Sequence, residues 1–196
     1  KGEGPGMGAS VYLPLYEGRM GHQFNHRFAT QPDGDAREAS ATELLNPTFL
    51  VEPQYYVGAA DFDERTGRRA FGCTSALLGF RRVSRNTDER TVIACILPWL
   101  PASYGWILST GPSCIDLCRL GATFNSFMFD YLLRNSLSQP SVPQSTFEQI
   151  PAPTAESYRR LLDDFLTCRV LELSYTALDL QPFARDLGYD GPPFVW

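Results

Sequence analysis

Two apolar runs separated by a polar turn dominate the middle of the chain. Ala76-Leu77-Leu78-Gly79-Phe80-Arg81-Arg82-Val83 and Thr91-Val92-Ile93-Ala94-Cys95-Ile96-Leu97 have strand length, and Ser84-Arg85-Asn86-Thr87-Asp88-Glu89-Arg90 between them is polar. Bulky and β-branched runs punctuated in this way predict two strands joined by a turn. Tyr104-Gly105-Trp106-Ile107-Leu108 reads as a third strand. From Ser113 to Leu137 the period becomes helical, with Leu117, Leu120, Phe124, Phe127, Met128, Tyr131 and Leu132 near one stripe. Thr154 suits the N-cap of a second helix running to about Ala177, whose apolar face is Leu161, Leu162, Phe165, Leu166, Val170 and Leu173. A third, short helix spans Asp179 to Leu187, and Gly188 stops it by accepting the left-handed conformation at C′.

The N-terminal third is less regular. Val11 to Tyr16 reads as a short strand, and Glu17 to Phe28 sets hydrogen-bonding side chains between aromatics. Gln31 to Thr42 is polar and reads as an exposed loop; Phe49 to Val57 is extended and broken by Pro53; Asp61 to Arg69 is a charged turn or short helix. A Pro- and Ser-rich connector, Ser138 to Gln144, leads to an extended piece ending at Pro151-Ala152-Pro153. Strands come first and helices last, with no internal repeat. The expected fold is α+β: a small twisted, mostly antiparallel sheet with a C-terminal helical part. Three stretches are expected: a flexible lead-in over 1–12, one domain over 13–153 and a helical extension over 154–196 packed on it. The Gly-rich opening Lys1-Gly2-Glu3-Gly4-Pro5-Gly6 has no apolar core of a signal peptide and reads as the edge of a fragment of a longer polypeptide.

Composition narrows the class. With 43% hydrophobic and 20% charged residues in 196, the chain matches a globular domain with a filled core. No apolar run approaches the roughly 20 residues that span a bilayer, so no membrane partner is expected. Five cysteines (Cys73, Cys95, Cys114, Cys118, Cys168) give an odd count without regular spacing, which suits a reducing, cytoplasmic compartment. Cys114 and Cys118, four apart on a helix, read as small apolar residues of a core face rather than as zinc ligands. The net charge of −5 opposes a strongly nucleic-acid-binding surface. Of the 17 basic residues, however, all but Lys1 are arginine, whose forked guanidinium can read base edges and phosphates in pairs of hydrogen bonds.

Catalytic signatures are missing. The chain contains no GxGxxG, P-loop, HExxH or Gly-x-Ser-x-Gly. A nuclease core that needs a lysine is excluded, because Lys1 is the only one. Asn46-Pro47-Thr48-Phe49 and Asp190-Gly191-Pro192-Pro193-Phe194 only partly resemble the Asn-Pro-Pro-Tyr/Phe loop of adenine methyltransferases, and both read as ordinary turns. His22 and His26, four apart, lack an evident third metal ligand. No catalytic residue, metal ligand or cofactor is therefore assigned to this chain.

Five phrases, in order, resemble one family. They are Leu15-Tyr16-Glu17-Gly18-Arg19-Met20 with His22-Gln23-Phe24-Asn25-His26-Arg27; Phe80 to Thr91; Asn125-Ser126-Phe127-Met128-Phe129-Asp130-Tyr131-Leu132-Leu133-Arg134; Phe147-Glu148-Gln149-Ile150-Pro151; and Leu171 through Phe194. Together they look like the region that follows the catalytic domain of large adenine-specific DNA methyltransferases, including bacterial phage-defence modification enzymes and type IIG restriction–modification enzymes. Gly21 and Asn25 depart from the family, which usually has a larger apolar residue and an aspartate there.

What the resemblance implies is a target-recognition (specificity) domain that docks double-stranded DNA. An upstream S-adenosylmethionine-binding domain of the same polypeptide would then flip out and methylate an adenine. The residues themselves offer two patches. Arg81, Arg82, Arg85 and Arg90 cluster about a hairpin-like turn with Asn86, and a β-ribbon is narrow enough for the major groove. Arg19, His22, Asn25, His26 and Arg27 form the second, with Asn125 and Arg134 as weaker candidates on the helix. The alternatives at these patches are a solvated face on which Asp88 and Glu89 pair with the arginines, and a polar network bracing the domain. For the whole chain the alternative is a non-catalytic structural or protein-interaction domain of the same enzyme.

Overall fold

The computed structural model describes residues 11–67, 73, 75–161 and 163–195. The lead-in expected over 1–12 therefore lies almost wholly outside the described residues, as do Arg68 and Arg69 at the end of the charged turn. In chain order the elements are β1 (Tyr12–Pro14), a 3-10 turn (Gly18–Met20), β2 (Ala29–Thr30), β3 (Arg37–Glu38), α1 (Ala41–Leu45), β4 (Tyr56–Gly58) and α2 (Ala59–Thr66). They continue with β5 (Ala76–Arg81), β6 (Ala94–Pro98), β7 (Trp106–Ser109), α3 (Cys114–Phe124), α4 (Phe127–Ser136), α5 (Gln144–Phe147), α6 (Ala155–Leu161), α7 (Asp163–Ser174), a 3-10 turn (Leu178–Leu180) and α8 (Gln181–Asp186).

The expected α+β class is what is observed. The main sheet has order β6-β5-β7 and is antiparallel throughout, with Leu78 opposite Ile96 and Ser109. Small two-stranded pairs, β1 with β4 and β2 with β3, flank it. The central strand reads as a continuous apolar run because both faces of the sheet are covered. Ala76, Leu78, Phe80, Ala94 and Ile96 face a core shared with α3, α4, α5 and the C-terminal helices. Leu77, Cys95 and Leu97 face a second core with Tyr16, Met20, Phe62, Trp99 and Trp106. Each such buried large side chain contributes about 1.5–3 kcal/mol of apolar transfer. The first core is closed by aromatics: Phe80 stacks on Phe147 with ring centres 3.8 Å apart, and Phe124 meets Phe147 edge-on at 4.8 Å.

The helical stripe from Ser113 to Leu137 is corrected by the structure. Two helices stand there, not one, because Asn125 leaves the helical path and Ser126 caps a new helix by accepting the Phe129 N–H. The Asn125 amide donates to Ala94 O (2.9 Å) and accepts from Ala94 N (3.2 Å), so the break is fixed to β6. The new helix is rotated relative to the old stripe. It buries Phe129, Asp130 and Leu133 and leaves Phe127, Met128 and Tyr131 exposed.

α7 shows the same kind of offset. Val170, Leu171 and Ser174 are buried, whereas Phe165 and Leu173 are exposed. Leu162 and the side chain of Leu161 lie outside the described residues. The segment after Ser138, expected to be extended, contains the short helix α5, and the expected loop at 31–42 carries β3 and the start of α1. Gly188, at φ +81°, terminates the last helix in the left-handed conformation that was expected there. Among the described residues no helix is long and apolar enough to cross a membrane.

Candidate functional site

The segment Glu17 to Arg27 folds as a 3-10 turn followed by a tight loop. His22 and Asn25 exchange backbone hydrogen bonds (2.7 and 3.1 Å), and Phe24 between them sits at φ +58°. A non-glycine residue in that region is uncommon, and here packing holds it, with Phe24 N–H donating to Ala94 O. Gly21 is required by close approach: a Cβ would meet the Trp106 ring and Cys95 Sγ at 2.9 Å. The volume that a larger apolar residue would take is occupied in this chain by Trp106.

This turn is bolted to the C-terminal tail. His26 has no exposed surface, and its Nε2 lies 2.9 and 3.0 Å from the two carboxylate oxygens of Asp179. Burial alone would raise the Asp179 pKa, but the facing His26 ring and Arg27 outweigh it, so that the pKa is lowered. Arg27 is also fully buried. Its two terminal nitrogens donate to Asn46 O (2.8 Å), Phe49 O (3.2 Å), Leu44 O (2.9 Å) and Thr176 O (2.9 Å). Burial lowers the guanidinium pKa only from its very high ordinary value, so the charge stays.

His26 and Arg27 were expected to face DNA, and the geometry removes them from any solvent-facing set. They join the α1 loop to the residues after α7. Asn25 likewise uses its side-chain oxygen to accept the Arg27 N–H at 2.9 Å. His22 is half-buried beside Phe28, with ring centres 4.8 Å apart, and its pKa is lowered by burial and then by the neighbouring Arg81. Among the described residues, His22 and His26 do not converge on a shared set of metal ligands.

The loop between β5 and β6 divides its arginines. Arg81 is half-buried, donates to Gly21 O at 2.6 Å and lies over the Phe28 ring, so it holds the N-terminal turn against the sheet. Arg90 turns inward, donating to Asn125 O at 2.7 Å, with its Nε 3.5 Å from Asp130 and its guanidinium 4.8 Å above Phe127. The half-buried Arg82 lies over the exposed Tyr104 ring, with its guanidinium carbon 4.1 Å from the ring centre. Arg85 and Asn86 are exposed at the tip. Arg19 is exposed too, beside a cleft of about 410 Å³ lined by Glu17, Gly18, Arg81, Val83, Ser103 and Gly105. Of the four arginines expected to cluster outward, only Arg85 is exposed, and Arg82 is half-buried against Tyr104.

The loop is nevertheless held in one shape. The buried Asp130 carboxylate accepts the N–H groups of Thr91 and Val92, both at 2.8 Å. Arg134 donates to Asn86 O (2.8 Å) and Glu89 O (2.9 Å), and also meets Asp130 at 3.2 Å. Asp88 accepts the Arg85 backbone N–H (2.8 Å), and Thr91 Oγ1 donates to Arg85 O (3.4 Å). Arg134 and Asn125, both expected to touch DNA, thus spend their hydrogen bonds on the scaffold.

Sequence reasoning missed Asp130 and Asp179, the carboxylates that organise the two regions. Both fall inside family-like phrases, but locally the signal was only an aspartate beside the buried Phe129 and one four residues before the buried Phe183, which also describes many solvated aspartates. No known protein family, characterised protein or solved structure matches the chain.

Proposed function

We propose that the chain is the DNA target-recognition domain of an adenine-specific DNA methyltransferase of a restriction–modification or phage-defence system. The observation that carries this reading is the preorganised loop tip. Arg85 and Asn86 stand exposed at the tip of a loop whose backbone is clamped by Asp130 and Arg134, with the half-buried Arg82 at its base and the exposed Arg19 near the cleft beyond Arg81. Arginine and asparagine are the side chains that pair bidentately with guanine and adenine edges, and a fixed backbone spares them the entropy of ordering on contact. The five family-like phrases support the same reading. S-adenosylmethionine and the methyl transfer belong to an upstream domain of the parent polypeptide.

A second reading has its own observation. The net charge is −5, and Phe127, Met128 and Tyr131 stand exposed together on α4, which fits a surface that docks protein rather than phosphate. Salt separates the two: phosphate contacts make affinity fall steeply with ionic strength, and apolar docking does not.

The test is methyl transfer from labelled S-adenosylmethionine to mixed duplex DNA by the parent polypeptide carrying Arg82→Ala, Arg85→Ala and Asn86→Ala. Site-specific methylation should drop by roughly 10-fold or more per lost base contact, with cofactor binding retained. Undiminished, equally specific methylation would move recognition elsewhere and leave the docking reading.

A further inference from the structure

Three side chains from distant parts of the chain converge at the first turn of α3. Cys73 precedes β5 and is anchored by its N–H to Gly111 O at 3.0 Å; Cys114 is the first residue of α3; Asp186 is the last of α8. The two sulfurs are 2.8 Å apart, and Cys114 Sγ lies 3.6 Å from Asp186 Oδ2. The Ser75 hydroxyl donates to that carboxylate at 2.6 Å and sits 3.3 and 3.2 Å from the Cys73 and Cys114 sulfurs. Both cysteines are buried while Asp186 is exposed, so the cluster has one side open to solvent.

We infer that Cys73, Cys114 and Asp186 form a binding site for a thiophilic divalent cation of the zinc type, with water or Ser75 Oγ completing four-coordination. Two sulfurs and a carboxylate are a donor set that such a cation takes and that magnesium or calcium does not. The three ligand atoms lie within 4.8 Å of one another, the compactness a single ion demands.

The other buried cysteines show the contrasting case. Cys95 packs in the second core among Leu97, Trp99 and Trp106, and burial raises its thiol pKa. Cys118, one turn beyond Cys114, is pushed up to about 12 by burial. Cys73 differs in its partners. Its sulfur faces Cys114 Sγ at 2.8 Å and Ser75 Oγ at 3.3 Å.

The geometry has a further requirement. Non-bonded apolar atoms rest about 3.5–4.0 Å apart, and sulfur is larger than carbon, so two thiols at 2.8 Å are crowded even when hydrogen-bonded. A tetrahedral cation about 2.3 Å from each sulfur sets them roughly 3.8 Å apart. Binding therefore opens the pair by about 1 Å. It also ties the entry to β5, the start of α3 and the end of α8 into one unit.

The test uses the full chain, reduced and then titrated with Zn²⁺ against a chromophoric chelator, with Co²⁺ as the spectroscopic probe. One equivalent should bind, with a thiolate-to-cobalt charge-transfer band and a rise in Tm that grows with zinc concentration. Cys73→Ser and Cys114→Ser should each abolish the two-thiolate spectrum. Asp186→Ala should weaken binding by about tenfold or more, and Cys168→Ser should change nothing. If the serine variants do not fold, alkylation of the unmodified chain takes their place: zinc should protect Cys73 and Cys114 and leave Cys168 reactive. No uptake by the reduced, folded chain overturns the site. So does uptake that survives Cys114→Ser, or a Cys73–Cys114 disulfide in peptide maps together with no uptake after reduction.

Discussion

The turn at His22–Arg27 and the loop at Arg82–Arg90 each set arginine close to asparagine, and these side chains have opposite fates. In the turn, every terminal nitrogen of Arg27 meets a backbone oxygen, and both His26 and Arg27 are sealed from solvent. In the loop, Arg134 and Asp130 satisfy the backbone from outside, and Arg85 and Asn86 are left with exposed side chains. The difference lies in who supplies the acceptors. A guanidinium surrounded by helix-end and loop carbonyls becomes a structural clamp. One whose loop is already satisfied by a neighbouring helix stays available for a ligand. Arginine content alone therefore says little about a binding face; the supply of unpaired carbonyls nearby decides it.

The sharpest way to break this contrast is a matched pair of substitutions. Arg27→Met takes the guanidinium away from four carbonyls, of which Asn46 O keeps the Phe49 N–H, and should destabilise the chain by about 3–5 kcal/mol, the range for breaking a buried charged network. Arg85→Met, at an exposed tip, should stay within about 0.5 kcal/mol. Urea denaturation of both variants measures the difference, and equal effects would dissolve the distinction between clamp and ligand face.

Next in size is Asp179→Asn, which removes the charge facing His26 and Arg27 and should cost about 2 kcal/mol at neutral pH. Here pH supplies a second check. The Asp179 pKa is lowered in the folded chain, so between the folded and unfolded values the unfolded state binds more protons. Its contribution is present in full above the unfolded carboxylate value of about 3.9 and drains away as pH falls through the folded one. The gap between Asp179→Asn and the unsubstituted chain should therefore narrow on acidification, whereas the Arg27→Met gap should persist further. A gap that widens as pH falls through that range would show that the carboxylate is not the charged partner.

Much of the fold was legible because period and punctuation agreed. The three strands of the main sheet fell where bulky runs met polar turns, and Gly188 ended the last helix at a left-handed φ. The helix faces were less legible. Phe127, Met128 and Tyr131 continue the stripe of α3 on paper, but Asn125 binds the backbone of β6 and restarts the winding, so that Asp130 takes an inward position. A hydrophobic period cannot register a phase shift made by one side chain whose partner is about thirty residues away. The candidate residues were harder still. Residue type pointed to Arg27, Arg90 and Arg134 as readily as to Arg82 and Arg85, and only carbonyls brought in from α1, the α3–α4 break and the loop itself separate them.

The smallest expected effect tests the loop's preorganisation. Arg134→Gln removes the two donations to Asn86 O and Glu89 O and the pairing with Asp130, all at a partly exposed side chain. Global stability should fall by only about 1 kcal/mol. Local effects should be larger in kind: amides from Arg85 to Arg90 should exchange faster, because their loop opens without global unfolding. If the proposed DNA-reading role holds, the parent enzyme carrying Arg134→Gln should also lose some site-specific methylation despite keeping Arg82, Arg85 and Asn86. That loss would come from the entropy of ordering the tip at each encounter, and it should be smaller than the loss from removing the contacts themselves. Faster exchange with unchanged methylation would separate the two properties. The loop would then be clamped for the fold's sake, and the rigid tip would have no part in reading sequence.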